Sequence, residues 1–149
     1  MIMNKTLTVD QFIQITRAFL EGSEDVLTNV VKIIDSDLDE NEIKSWPTDK
    51  ILEYVDLNYL FTNKIEESFE VDGVTFTLGG NAKNFKFSAR QMMKIKAAMI
   101  KDKAAYTLQL LEAVYNHNLT TSEALAILRN APVVYVMPFI YQLNKMFSK

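Results

Sequence analysis

Apolar residues recur at helical spacing over most of the chain, and at alternating spacing over one short stretch. Behind the capping box Thr8-Val9-Asp10-Gln11, residues Phe12, Ile15 and Phe19, with Ile13 and Leu20, form one broad apolar face. In such a box the hydroxyl takes the third amide forward and the Gln returns to the cap amide, so a helix to about Leu20 is expected. Gly22 can close it in the left-handed conformation, and Ser23 can cap the next helix. That helix would open on Glu24 and Asp25, which suit its positive first turn, and bury Val26, Leu27, Val30, Val31, Ile33 and Ile34. Asp39 is expected to cap a short helix to Ser45, stopped by Trp46-Pro47. Thr48 then caps a helix to about Phe61 with Ile51, Leu52, Val55 and Tyr59 on one stripe. Trp46 reads as a packing residue at the helix junction.

The period changes at Glu67. Glu67-Ser68-Phe69-Glu70-Val71 and Val74-Thr75-Phe76-Thr77-Leu78 flank Asp72-Gly73, the pairing that marks a two-residue hairpin. A two-residue loop sets Val71 opposite Val74 and Phe69 opposite Phe76 on one face, with Glu70 and Thr75 on the other. A lone hairpin is marginal in water, so that face must lie on helices or gain a strand. Asn84 to Phe87 is the expected third strand, reached through the Gly79-Gly80-Asn81 turn. Ser88-Ala89-Arg90-Gln91 is a second capping box, opening a helix that can run to His117, with a bend or break at Asp102. Its inward side would carry Met92, Ile95, Met99, Leu108, Leu111 and Tyr115. Thr120-Thr121-Ser122-Glu123 is a third box, for a helix through Leu128. Pro132 is expected to start a last helix, kinked or interrupted at Pro138 and ending near Phe147. The elements predict one α+β domain over residues 1–149, mainly helical, its helices packed around a small antiparallel hairpin or three-stranded sheet. A helical acidic half covers about 1–65; the hairpin, basic helix and C-terminal helices cover about 66–149.

Composition narrows the chemistry. The chain of 149 residues has no cysteine, one histidine and four glycines, so thiolate nucleophiles, disulfides and thiolate metal sites are excluded. His117, between Asn116 and Asn118, reads as a structural imidazole whose positive form the helix end would favour. No P-loop or dinucleotide fingerprint is present: Gly79-Gly80 lacks the further glycines and the Lys-Ser/Thr pair that cradle phosphates. The run Asp35-Ser36-Asp37-Leu38-Asp39-Glu40 starts like a calcium loop. Its sixth position is Glu40 where a turn glycine is needed, and its twelfth is Trp46 where a bidentate Glu is needed. The run is therefore an acidic linker. No catalytic residue, cofactor site or metal site is assigned, and an enzyme is not expected. The longest apolar run, Ala131 to Tyr141, is eleven residues with two prolines, too short to span a bilayer. Met1 to Lys5 lacks the apolar core of a secretory leader.

Charge is unevenly placed. Residues 21–70 hold fourteen acids against four bases, whereas residues 83–103 hold seven bases against Asp102. Such a dipolar chain can pair with copies of itself or offer a basic face to a partner. The last segment (Val133, Val134, Tyr135, Val136, Met137, Phe139, Ile140, Tyr141, Met146, Phe147) is apolar almost all round, so it belongs to the core or to a contact with another chain. Aromatic and methionine enrichment is what interface cores show. The candidate partner-binding residues are Lys86, Arg90, Lys94, Lys101, Tyr135, Phe139, Tyr141 and Phe147. A nucleic-acid-binding role is the alternative, with the basic 83–103 segment on phosphates and Phe85 and Phe87 stacking bases. A second alternative is an inhibitor of a host protein.

The order of features resembles small proteins encoded among tailed-bacteriophage morphogenesis genes, of the tail-assembly-chaperone or minor-virion type. The features are the Leu7-Thr8-Val9-x-x-Phe12 opening, an acidic helical segment ending in Asp49-Lys50-Ile51-Leu52-Glu53-Tyr54 and the Phe69-Glu70-Val71-Asp72-Gly73-Val74 hairpin. The Phe85 to Gln91 step and the Pro132-containing apolar tail complete the pattern. The acidic linker and the basic helix lie outside it. The resemblance implies a non-enzymatic structural or assembly protein in the host bacterial cytoplasm or the virion. Its partners would be other phage structural proteins or further copies of itself, with no membrane involved.

Overall fold

The structure is a computed structural model, and it describes residues 7–57 and 62–147. In chain order it forms helices α1 (Val9–Glu21), α2 (Val26–Ile34), α3 (Glu40–Lys44) and α4 (Thr48–Tyr54). Strands β1 (Ser68–Val71) and β2 (Val74–Leu78) follow, then α5 (Ala89–Lys101), α6 (Tyr106–Val114) and β3 (Tyr115–Asn116). Helix α7 (Thr121–Leu128), a 3-10 turn (Val133–Tyr135) and α8 (Met137–Phe147) complete the chain. The fold is mainly helical α+β with a three-stranded antiparallel sheet of order β1-β2-β3.

Local chemistry explains most boundaries. All three capping boxes form: Thr8 with Gln11, Ser88 with Gln91 and Thr120 with Glu123. Gly22 closes α1 at φ 63°, a conformation that costs a residue without Cβ nothing. The hairpin has the expected register, Val71 facing Val74 and Phe69 facing Phe76. Asp72 and Gly73 both take positive φ (50° and 80°), as a two-residue turn matched to strand twist requires.

The third strand is not where alternation placed it. Residues 84–87 form no strand; Phe85 drops into the core edge-on to Phe139, with ring centroids 5.1 Å apart. Tyr115 and Asn116 pair instead with Leu78 and Thr77. Gly79 N–H donates to the Val114 carbonyl at 2.9 Å. Once β1 occupies one edge of β2, a single edge is left. Tyr115 wins it because its ring is buried while its hydroxyl reaches the Glu66 carbonyl at 2.7 Å. Burial first, then Glu66 and Tyr135, pushes that hydroxyl above the usual tyrosine range, so it stays a donor.

Other boundaries shift for identifiable reasons. The basic helix breaks at Asp102, whose Oδ1 accepts the N–H groups of Ala104 and Ala105 at 3.0 Å and so starts a new turn. Helix α2 begins after Asp25 with no side-chain cap; the Ser23 backbone carbonyl, not its hydroxyl, accepts from Val26. Asp39 likewise precedes α3 without a side-chain cap bond. Pro47, not Thr48, is the cap residue of α4, and that helix stops at Tyr54 rather than continuing; residues 58–61 of its expected extension lie outside the described residues. Pro138 sits in the first turn of α8, where its missing N–H costs no bond, so it starts the helix instead of kinking it.

One buried cluster unites both halves of the chain, with Val9, Ile13 and Val30 beside Phe76, Leu111 and Phe139. The N-terminal end of α1 is fastened to the segment before α8. Val9 and Asp10 donate their free helix-end N–H groups to the carbonyls of Ala131 and Arg129, and Val133 donates to Leu7. Within the acidic linker, the Lys32 ammonium donates to the carbonyls of Ser36 and Leu38, so a resident cation already occupies those oxygens. Trp46 packs against Tyr54 at 5.2 Å with Lys50 Nζ 4.2 Å above its ring, the expected junction role. Among the described residues no helix is long and apolar enough to cross a membrane.

Candidate functional site

The structure separates the candidate residues into three environments. Phe139 is fully buried, and Tyr135 stacks on Phe69 at 4.4 Å and 7°. Phe139 therefore belongs to the core and not to a partner-binding surface, while Tyr135 is half-buried against it. The apolar residues of α8 serve two sides: Met137, Phe139, Ile140 and Leu143 face inward, while Tyr141, Met146 and Phe147 are nearly half exposed.

The second environment is a clamp between α5 and α6. Lys94 reaches Glu112 Oε1, and His117 Nε2 meets Glu112 Oε2 at 2.9 Å. Leu119 N–H donates to His117 Nδ1 at 3.1 Å. With Nδ1 facing the Leu119 amide, Nε2 is the nitrogen turned to the carboxylate. His117 lies three residues past α6 and folds back onto it, so its partner there is Glu112. Both carboxylate oxygens and both ring nitrogens are engaged, so the group fastens α5, α6 and the 117–119 turn. Gln91 adds a bond from its amide nitrogen to the Ala113 carbonyl at 3.2 Å. In front lies a shallow polar pocket lined by Ser88, Arg90, Gln91, Lys94 and Glu112. Periodicity did not reveal this clamp. The available signal was one acid, Glu112, inside Leu110-Leu111-Glu112-Ala113-Val114, where a carboxylate must find partners or stay out of water at a cost.

The third environment is open. The segment 85–87 runs alongside α8 and leaves a groove of about 380 Å³ lined by Phe85, Lys86, Phe87, Gln142, Lys145 and Met146. Its floor is rigid because Phe85 and Phe87 meet edge-to-face at 5.1 Å and 89°, and Phe85 rests on Phe139. Phe85 thus has its ring committed to the core rather than free for a base. Lys86 and Lys145 rim the groove; Lys145 Nζ is 5.7 Å from the Tyr141 centroid, and on α5 Lys96 Nζ is 5.7 Å from that of Phe147. Met93, one turn before Lys96 on α5, is 73% exposed. Of the sequence candidates, Lys86 lines the groove, Tyr141 lies under Lys145 at its rim, and Phe147 meets Lys96 of α5 instead. Arg90 stands at the start of α5 beside the clamp, and Lys101 at its far end. Among the described residues no group of three His, Asp or Glu could hold a metal ion.

A scan against family models, a search of curated proteins and a search of solved structures return no match to this chain.

Proposed function

We propose that the chain is a non-enzymatic assembly or virion-associated protein of a tailed bacteriophage, acting by gripping a partner protein in the groove between residues 85–87 and α8. The observation that carries this reading is a preformed aromatic floor, open to solvent and rimmed by Lys86 and Lys145. A floor already packed on Phe139 needs no reordering when a partner arrives, which lowers the entropic cost of binding. Apolar floor and cationic rim together fit an acidic, amphipathic partner segment, with the rim setting orientation and encounter rate more than affinity. The resemblance in the order of elements supplies the biological setting, the host cytoplasm or the virion.

The test is binding of each structural protein encoded beside this chain, measured with the wild type and with Lys86→Glu and Met146→Asp. Both side chains are solvent-exposed, so folding should change by no more than about 0.5 kcal/mol, while capture of the partner is lost. Equal capture by wild type and both variants would remove the groove from the function. Retention on DNA or RNA that collapses with salt would favour the nucleic-acid alternative.

A further inference from the structure

We infer that two copies of this chain associate about a two-fold axis through the surface where the end of α1 meets the end of α5. Arg17 and Asp102 form an ion pair of 2.8 Å there, with both side chains more than 40% exposed. It brings two regions remote in sequence to one corner of the molecule. One helical turn beyond Arg17 stand Leu20 and Glu21, followed by Glu24 and Asp25, all exposed. Just before and after Asp102 stand Ile100, Lys101 and Lys103, also exposed. Ile100 and Leu20, at 85% and 61% exposure, are two of the three most exposed large apolar side chains among the described residues.

Each half of this corner is an apolar side chain flanked by charge, and the two halves carry opposite signs. A surface with acid on one side and base on the other is self-complementary under a two-fold rotation. The acidic half of each copy then meets the basic half of the other, and both contacts form at once. No other partner is needed to satisfy either half. Glu21 and Glu24, both exposed, are the acids offered to the partner copy. Contact between Leu20 and Ile100 across the axis removes from water two large apolar side chains that the fold itself leaves open. The inference uses none of the groove residues and stands apart from the partner-binding reading.

Sedimentation velocity of the full chain over a range of concentration and salt tests it. The wild type should form dimers that weaken as salt rises. The paired substitutions Glu21→Lys with Glu24→Lys, and Lys101→Glu with Lys103→Glu, should each weaken association by about tenfold or more, because like charges then face each other twice. Mixed one to one, these two variants should recover a dimer, since every contact again joins opposite signs. A wild type that stays monomeric at low salt overturns the inference, as does a mixture that recovers nothing. Growth beyond two copies overturns the two-fold arrangement. Met146→Asp should leave the dimer unchanged; its loss in that variant would place the second copy in the groove instead.

Discussion

The lysines of one helix meet opposite fates. Lys94 is drawn into the clamp with Glu112, beside a histidine whose two nitrogens are both engaged. Lys96, two residues on, points outward over the half-exposed ring of Phe147. Two residues is about 200° of helix, so neighbours in a charge run serve opposite sides. The contrast teaches that a basic run measures charge and not availability: one lysine is tied into the fold, while Lys96 stays at the surface. The same holds for the aromatic residues, where Phe139 is buried against Phe85 and Phe147 is half exposed.

The sharpest way to break this comparison is to remove the floor that both sides share. Phe139→Ala takes out a fully buried ring contacting Phe85 and Tyr115. It should cost about 3–5 kcal/mol in urea denaturation. A small loss there would mean that α8 is not central to the core. Glu112→Ala comes next: it strands the His117 N–H and frees Lys94, and should cost about 1.5–3 kcal/mol. Lys94→Met should cost well under that, since the ammonium end is partly solvated. Equal losses from the two would show that the pair, and not the histidine contact, is what matters.

The smallest effect lies at Asp102. The backbone N–H of Ala105, then the Arg17 guanidinium and the Ala104 N–H, hold its carboxyl below the ordinary carboxylate range. A depressed value in the folded state means stability that is present above the unfolded pKa of 3.8 and lost as pH falls through the folded one. Asp102→Asn should therefore lower the melting temperature slightly at neutral pH, with the gap to wild type closing in strong acid. A gap that persists unchanged at low pH would assign the effect to the turn geometry rather than to charge.

Sequence reasoning reached far where the cause is local. Capping boxes involve four consecutive residues, and the hairpin turn needs two residues of positive φ, so their positions were legible from Thr8, Ser88, Thr120 and Asp72-Gly73. The groove was legible in part: Lys86, which lines it, was singled out, but so was Phe139, which is fully buried. Helical periodicity identifies an apolar residue and leaves open which neighbour covers it. The clamp was missed because Glu112 and His117 interact across a helix end, outside any spacing rule.

The amino-acid order alone determined the three helix starts at the capping boxes and the hairpin with its register, because each depends on bonds among residues a few positions apart. Only the tertiary structure decided that Tyr115 and not Phe85 pairs with β2. It alone decided that Lys94 is spent internally and that one end of α8 is core while the other is surface. Those outcomes are competitions between distant segments for a single strand edge, one carboxylate and one buried volume. Competition of that kind is resolved by what else has packed, not by the residues of either segment.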